Sequence, residues 1–211
     1  MTSPAESSPA ESGPAEASRA EGGAGDALPR RIDEQKPFLP VRVAVLTVSD
    51  TRTPETDRSG DVLAERVAGA GHVLADRRIV RDERAEIEAA LSAWIADPEI
   101  DVAISTGGTG LTGRDVTVEA HRALYQKEVD GFSTLFHMIS ARKIGTSTMQ
   151  SRACAGVADG TYLFALPGSP GACKDAWDDI LRWQFDLRHR PCNMVEIMPR
   201  LMEGGIGRSR G

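Results

Sequence analysis

The stretch Asp101-Val102-Ala103-Ile104-Ser105-Thr106-Gly107-Gly108-Thr109-Gly110-Leu111-Thr112-Gly113-Arg114-Asp115-Val116-Thr117-Val118-Glu119 joins a short apolar run to a helical pattern through a turn rich in glycine and hydroxyl residues. Glycine lets backbone approach a ligand closely and adopt positive φ. Unpaired N–H groups at a helix start carry partial positive charge. The unit reads as strand, anion-holding turn and helix, and a chain built on such units stacks helices against a largely parallel sheet.

Similar units extend to both sides. Val41 to Val48 reads as a buried strand whose end is the polar cluster Ser49-Asp50-Thr51-Arg52. A helix is expected from about Ser59 to Ala70, a strand over Val73 to Val80, and a helix from Arg84 to Ala96. In the last of these, Ile87, Ala90, Leu91, Trp94 and Ile95 recur at i, i+3, i+4, i+7 and i+8, which makes a core-facing stripe. Helical patterns follow over Asp115 to Tyr125 and Phe132 to Ile139, then a strand over Thr161 to Leu166. Beyond the Pro167-Gly168-Ser169-Pro170-Gly171 turn, Cys173, Ala176, Trp177, Ile180 and Leu181 mark one face of a closing helix. The alternation implies an α/β sandwich with a mostly parallel sheet. Ligands gather beyond the carboxyl ends of such strands, where four segments should meet: Ser49 to Arg52, Arg81-Asp82-Glu83, Thr106 to Asp115, and Pro167 to Gly171.

Composition sets bounds on partners. A net charge of -6 over 211 residues lacks the dominant basic surface that nucleic acid or an anionic membrane would select. No apolar run reaches the roughly 18 to 20 residues that span a bilayer, and no apolar signal core opens the chain, so a cytoplasmic protein is expected. Cys154, Cys173 and Cys192 are odd in number and lack C-x-x-C spacing, which argues against a disulfide framework or a structural zinc. Residues 1–36 carry Ser3-Pro4-Ala5-Glu6-Ser7 and its repeat at Ser8 to Ser12, and read as a disordered low-complexity tail. Residues 37–200 form the domain, and 201–211 a flexible end.

Gly108-Thr109-Gly110-Leu111-Thr112-Gly113 spells G-x-G-x-x-G, but the acidic strand end that confirms a dinucleotide site is missing. No Gly-Lys-Ser/Thr follows, which excludes a Walker-type loop. Arg114 beside Asp115 offers instead a fork for phosphate oxygens and a carboxylate for Mg²⁺, directly or through water. The plainer reading of Asp115 is a capping box with Thr112, and Asp82, Asp50 and Thr51 also fit as turn formers. Their convergence on one glycine loop is what favours a functional role.

From Val41 to about Pro199 the chain resembles the molybdenum cofactor biosynthesis protein B and molybdopterin adenylyltransferase family, the MoaB/Mog type. The resemblance rests on Leu46-Thr47-Val48-Ser49-Asp50-Thr51-Arg52, Asp57-Arg58-Ser59-Gly60, Ser105 to Gly110, Gly113-Arg114-Asp115-Val116-Thr117, Gly145-Thr146-Ser147, Gln150-Ser151-Arg152-Ala153 and Leu166-Pro167-Gly168-Ser169-Pro170. It implies a three-layer α/β/α sandwich with a mostly parallel sheet, homotrimers or dimers of trimers, and a reaction in which the terminal phosphate of molybdopterin attacks the α-phosphate of Mg-ATP, giving adenylyl-molybdopterin and pyrophosphate. It assigns Asp82 and Asp115 to catalysis, through Mg²⁺ or nucleotide positioning. Ser49, Asp50, Thr106, Gly107, Gly108, Thr109, Gly110, Ser151, Pro167, Gly168 and Ser169 fall to substrate binding, and Arg114 to phosphate.

Many relatives carry asparagine in place of Ser169 and a basic residue in place of Gly171. Lys174, one turn later, is the nearest substitute cation. The alternatives from other classes are a non-catalytic molybdopterin carrier and an oligomeric scaffold. His72, His121, His137 and His189 show no metal-ligand spacing, and Trp94, Trp177 and Trp183 read as core or subunit-contact residues.

Overall fold

The computed structural model describes residues 30–203. In chain order the elements are β1 (Arg31–Ile32), β2 (Arg42–Val48), α1 (Arg58–Gly69), β3 (Val73–Val80), α2 (Arg84–Ala96), β4 (Val102–Thr106), α3 (Thr117–Leu124), β5 (Lys127–Glu128) and α4 (Asp130–Ile144). A 3₁₀ segment over Gly145–Gln150 leads to β6 (Cys154–Ala158), β7 (Thr161–Leu166) and α5 (Pro170–Ala176). A π-helical turn over Trp177–Leu181 precedes α6 (Arg182–Gln184), β8 (His189–Arg190) and α7 (Met194–Ile197).

The main sheet has the order β3-β2-β4-β7-β6-β5. Strands β3, β2, β4 and β7 run parallel, whereas β6 and β5 are antiparallel to their neighbours. The sheet is therefore mostly parallel, as expected, and mixed only through β6, which runs against the other strands. Strand β6 is Cys-Ala-Gly-Val-Ala, whose small side chains carry little β signal. It is held instead by pairing with β7 and by complete burial. Against Gly156 lies the Tyr125 ring, so close that a Cβ there would sit 2.4 Å from it.

Period-two alternation sends the β2 side chains to two cores. Val43 and Val45 join Leu63, Val67, Phe132, Phe136, Phe164 and Trp177 beneath α1, α4 and α5. Ala44, Leu46 and Val48 join Ile87, Leu91 and Trp94 beneath α2, with Ala120 from α3. Burial of each large side chain stabilises the fold by about 1.5–3 kcal/mol. Helices thus cover both faces, as the three-layer expectation required.

Three boundaries differ from the sequence reading. Helix α3 begins at Thr117, not Asp115, because Thr112 to Asp115 close a separate turn. Helix α4 extends from Asp130 to Ile144, beyond its apolar stripe at both ends. Order also begins before residue 37: Arg31–Ile32 pair with His189–Arg190, and Asp33 binds Arg190 at 2.7 Å. The tail expectation for residues 1–29, and the end from 204 onward, lie outside the described residues. No described helix is long and apolar enough to cross a membrane.

Asp57 joins three elements at the carboxyl end of the sheet. Its buried carboxylate caps α1 through the Gly60 N–H (2.9 Å), accepts the Thr47 hydroxyl of β2 (2.7 Å) and pairs with Arg77 of β3 (2.7 Å). Removing it leaves Arg77 with Asp61 alone, leaves the Thr47 hydroxyl without its acceptor and uncaps the helix. Asp57→Ala should lower unfolding free energy by about 3 kcal/mol in a urea titration.

Candidate functional site

All four expected segments meet beyond the ends of β2, β3, β4 and β7. The loops after β2 and β3 are tied reciprocally: the Asp50 N–H donates to Asp82 Oδ2 (3.0 Å), and the Asp82 N–H donates to Asp50 Oδ1 (3.2 Å). Ser49 turns the chain, its Oγ accepting the N–H groups of Thr51 and Arg52 at 3.2 Å each. The Gly107 N–H donates to the Leu166 carbonyl of β7, and Ser59 Oγ donates to the Gly168 carbonyl at 2.8 Å.

Between these loops lies a cradle. Gly107 has φ +102, and a Cβ on it would sit 2.2 Å from the Val48 carbonyl oxygen. Gly108 has φ +61, and a Cβ there would meet Thr117 Oγ1 at 2.4 Å and Asp82 Oδ1 at 3.0 Å. Only glycine fits either position. A cavity of about 280 Å³ opens here, lined by Ser49, Arg52, Asp82, Gly107, Gly108 and Gly168 among others. Two more cavities adjoin it through Arg52: one of about 630 Å³ toward Ile79 and Arg81, and one of about 300 Å³ toward Arg58 and Pro170.

The electrostatics separate the two aspartates. Burial, then the neighbouring Asp50 charge, raises the pKa of Asp82 above the ordinary aspartate value. Asp115 is also partly buried, which works upward, but hydrogen bonds from Thr112 and Gly110 and the Arg152 charge leave it lowered. Its Oδ2 accepts the Thr112 N–H at 2.8 Å and the Thr112 hydroxyl at 2.6 Å. The Thr112–Asp115 half of the capping box is thus present, yet it closes a turn ahead of α3 and caps no helix. Thr117 Oγ1, buried against Gly108, finds no hydrogen-bond partner among the described residues.

Arg152 holds the glycine loop from behind. Its N–H donates to the Thr109 carbonyl (3.0 Å), its Nε to the Gly110 carbonyl (2.7 Å) and a guanidinium N–H to the Asp115 carbonyl (2.7 Å), while Glu119 neutralises it. On the other side Arg114 grips Asp50 with two bonds of 2.9 Å and Glu83 at 2.7 Å.

Several of the expected site residues also have partners within the protein. Arg114 is engaged by the carboxylates of Asp50 and Glu83 while its side chain stays exposed. Thr106 is fully buried and donates its hydroxyl to the Pro167 carbonyl (2.9 Å), which makes it a brace for the turn. Ser169 caps α5 through the Ala172 N–H (3.1 Å). Ser151 lines none of the three cavities. Its carbonyl faces His137 Nε2 (3.0 Å) and its buried hydroxyl is unpartnered among the described residues. Lys174 is exposed and lines none of them either.

Ser49, Asp82, Thr106, Gly107, Gly108 and Gly168 line the central cavity, and Asp50 lines the adjoining one of about 630 Å³. Thr109, Gly110 and Asp115 continue the same loop, and Pro167 is held against it by Thr106. Asp57 and Ser59 were quoted only as motif residues, although Asp57 with glycine three positions on is a readable N-cap. Arg52 was given no role, because lack of an ionic partner has no sequence signature.

An oxygen-only donor set suits a hard cation. Mg²⁺ commonly takes one or two carboxylates plus substrate phosphates and water. Asp82 against Gly108 and Asp115 against Gly110 fit that pattern. Among the described residues no cluster of three or more His, Cys, Asp or Glu forms a ready cage.

Residues 44–189 match the family model of a probable molybdopterin binding domain. The molybdenum cofactor biosynthesis protein B of Escherichia coli (strain K12) is 50% identical over 156 residues, 74% of this chain and 92% of its own. That of Bacillus anthracis is 43% identical over 153 residues, 71% and 90% of the two chains. A crystal structure of molybdenum cofactor biosynthesis protein B has a TM-score of 0.68 at 42% identity, over 70% of this chain and 92% of that one. The molybdopterin biosynthesis Mog protein of Mycobacterium ulcerans has a TM-score of 0.61 at 29% identity, over 67% and 91%. The chain belongs to the MoaB/Mog family of molybdopterin-binding domains, and its role lies in molybdenum cofactor biosynthesis.

The raised pKa of Asp82 has a sign that can be tested. Its folded value lies above its unfolded value, so the ionised form disfavours folding. That cost appears as pH climbs past the ordinary aspartate range and is complete above the folded pKa. Asp82→Asn should therefore melt at a higher temperature than wild type near pH 7, with the difference vanishing near pH 3, where both side chains are neutral.

Proposed function

We propose that the protein is a molybdopterin adenylyltransferase, joining the terminal phosphate of molybdopterin to the α-phosphate of ATP with release of pyrophosphate. The observation that carries this reading is the glycine loop itself, with Asp82 against Gly108 at the cavity and Asp115 against Gly110 further along the same loop. Backbone N–H groups hold phosphate oxygens without repelling them. The two aspartates would hold the Mg²⁺ of the nucleotide, which neutralises phosphate charge and orients the oxygens.

The reaction needs placement more than covalent chemistry. In-line transfer requires the attacking oxygen, the phosphorus and the leaving oxygen to be aligned, and fixed donors supply that alignment. Arg152 and Arg114 hold the two sides of the glycine loop, so the cradle is set before substrate arrives. In this reading the protein is cytoplasmic and assembles as a homotrimer or a dimer of trimers, for which exposed Met138, Ile144 and Met149 offer an apolar contact surface. A sedimentation measurement distinguishes the two assemblies.

Purified protein incubated with molybdopterin and Mg-ATP should give adenylyl-molybdopterin and pyrophosphate in equal amounts. Tight pterin binding without product would overturn the enzyme reading in favour of a carrier. Asp115→Asn should cut turnover about 100-fold with an unchanged circular dichroism spectrum. Unchanged turnover would leave Asp115 only its bond to Thr112. Because the ionised form of Asp82 is the one that binds a cation, the acidic limb of the rate profile should lie above the ordinary aspartate pKa, and rate should rise with pH through it.

A further inference from the structure

The arginines around the sheet edge fall into two sets. Arg77 is paired with Asp57 and Asp61, Arg81 with Glu86, Arg114 with Asp50 and Glu83, and Arg152 with Glu119. Arg52 and Arg58 have no carboxylate partner among the described residues, and both are exposed. The Arg52 guanidinium makes one hydrogen bond, to the Thr56 carbonyl at 3.2 Å. In a chain of net charge -6, two unneutralised guanidinium groups facing one cavity stand apart from their surroundings.

That cavity, of about 300 Å³, is lined by Arg52, Glu55, Thr56, Arg58 and Pro170. Glu55 is its single acid, and the Thr53 side chain engages that carboxylate. Arg52 also lines the cradle cavity, so the two spaces meet at its side chain. A phosphate chain seated over Gly107 and Gly108 can extend past Arg52 toward Arg58 without crossing another ion pair.

We propose that Arg52 and Arg58 form a clamp for the polyphosphate end of the nucleotide, distinct from the glycine cradle that holds the reacting phosphates. The assignment rests on the adenylyl-transfer reading for its place in the reaction. As the pterin phosphate oxygen bonds to the α-phosphorus, the bond from that phosphorus to the bridging oxygen breaks. The electron pair moves onto the departing pyrophosphate, and no redox partner is needed. Charge accumulates on that leaving group, where paired arginine donors act most strongly. A monophosphate is too short to use both residues.

Calorimetric titration of the full chain with inorganic pyrophosphate, and separately with orthophosphate, tests the clamp without requiring turnover. Wild type should bind pyrophosphate more tightly than orthophosphate. The Arg52→Met/Arg58→Met double variant should weaken pyrophosphate binding at least tenfold and raise the KM for ATP with the KM for molybdopterin unchanged. Arg84→Met/Arg200→Met removes the same charge from arginines paired with Glu88 and Glu203, and should stay within twofold of wild type. Arg52→Lys/Arg58→Lys should fall between the two, because lysine keeps charge and loses the fork. Equal losses in the two methionine pairs, or pyrophosphate bound no better than orthophosphate, would overturn the clamp. Should wild type make no adenylyl-molybdopterin while pyrophosphate binding still depends on Arg52 and Arg58, the clamp stands and the adenylyl-transfer reading falls.

Discussion

The ends of β2 and β4 approach so closely that a single methyl group at Gly107 would lie 2.2 Å from the Val48 carbonyl oxygen. This contact dictates much of what surrounds it. With φ at +102, the chain turns sharply out of β4 and presents Gly108 beneath Asp82. The Pro167–Gly168 turn then packs on the other side, where a Cβ on Gly168 would stand 3.1 Å from the Gly107 Cα. Three loops are thereby brought within reach of one small ligand group. Gly107, Gly108 and Gly168 present backbone to it, and Ser49, Arg52, Asp82 and Thr106 are among the residues that complete the walls.

A cradle of that kind needs support from outside, and charged residues supply it. Asp57 unites β2, β3 and the start of α1 through a buried carboxylate. Arg152 binds three successive parts of the glycine loop, and Arg114 bridges the loops after β2 and β3. These arginines are neutralised where they stand. Asp82 is different: burial and the Asp50 charge make its ionised form costly, which is a common condition of groups kept for binding cations. The site therefore stores some instability at the residue assigned to it.

The alternating strands and helices were readable because their hydrophobic periods are strong. In β2 the period of two divides Val43 and Val45 from Ala44 and Leu46, and in α2 the stripe of Ile87, Leu91 and Trp94 marks the buried face. Strand β6 was not readable, since alanine and glycine carry no such period and its position depends on β7. The site followed the same division. Glycines at 107 and 108, and aspartates at 82 and 115, were legible from turn chemistry and from a motif. The bonds of Thr106 to Pro167 and of Arg114 to Asp50 and Glu83 were not legible, because a hydroxyl or guanidinium looks the same in sequence whether it meets a ligand or a neighbouring carbonyl or carboxylate.

Sequence alone determined the strand and helix alternation, the glycine turn and the family, because each depends on local periodicity, on backbone freedom at glycine, or on ordered motifs. Tertiary structure decided which polar groups remain available. Arg114, 64 residues away from Asp50, is neutralised by it, whereas Arg52, two residues from Asp50, has no carboxylate partner among the described residues. Ion pairing depends on distances across folded loops and not on separation along the chain. For that reason the cations open to a ligand emerged only once those loops were in place.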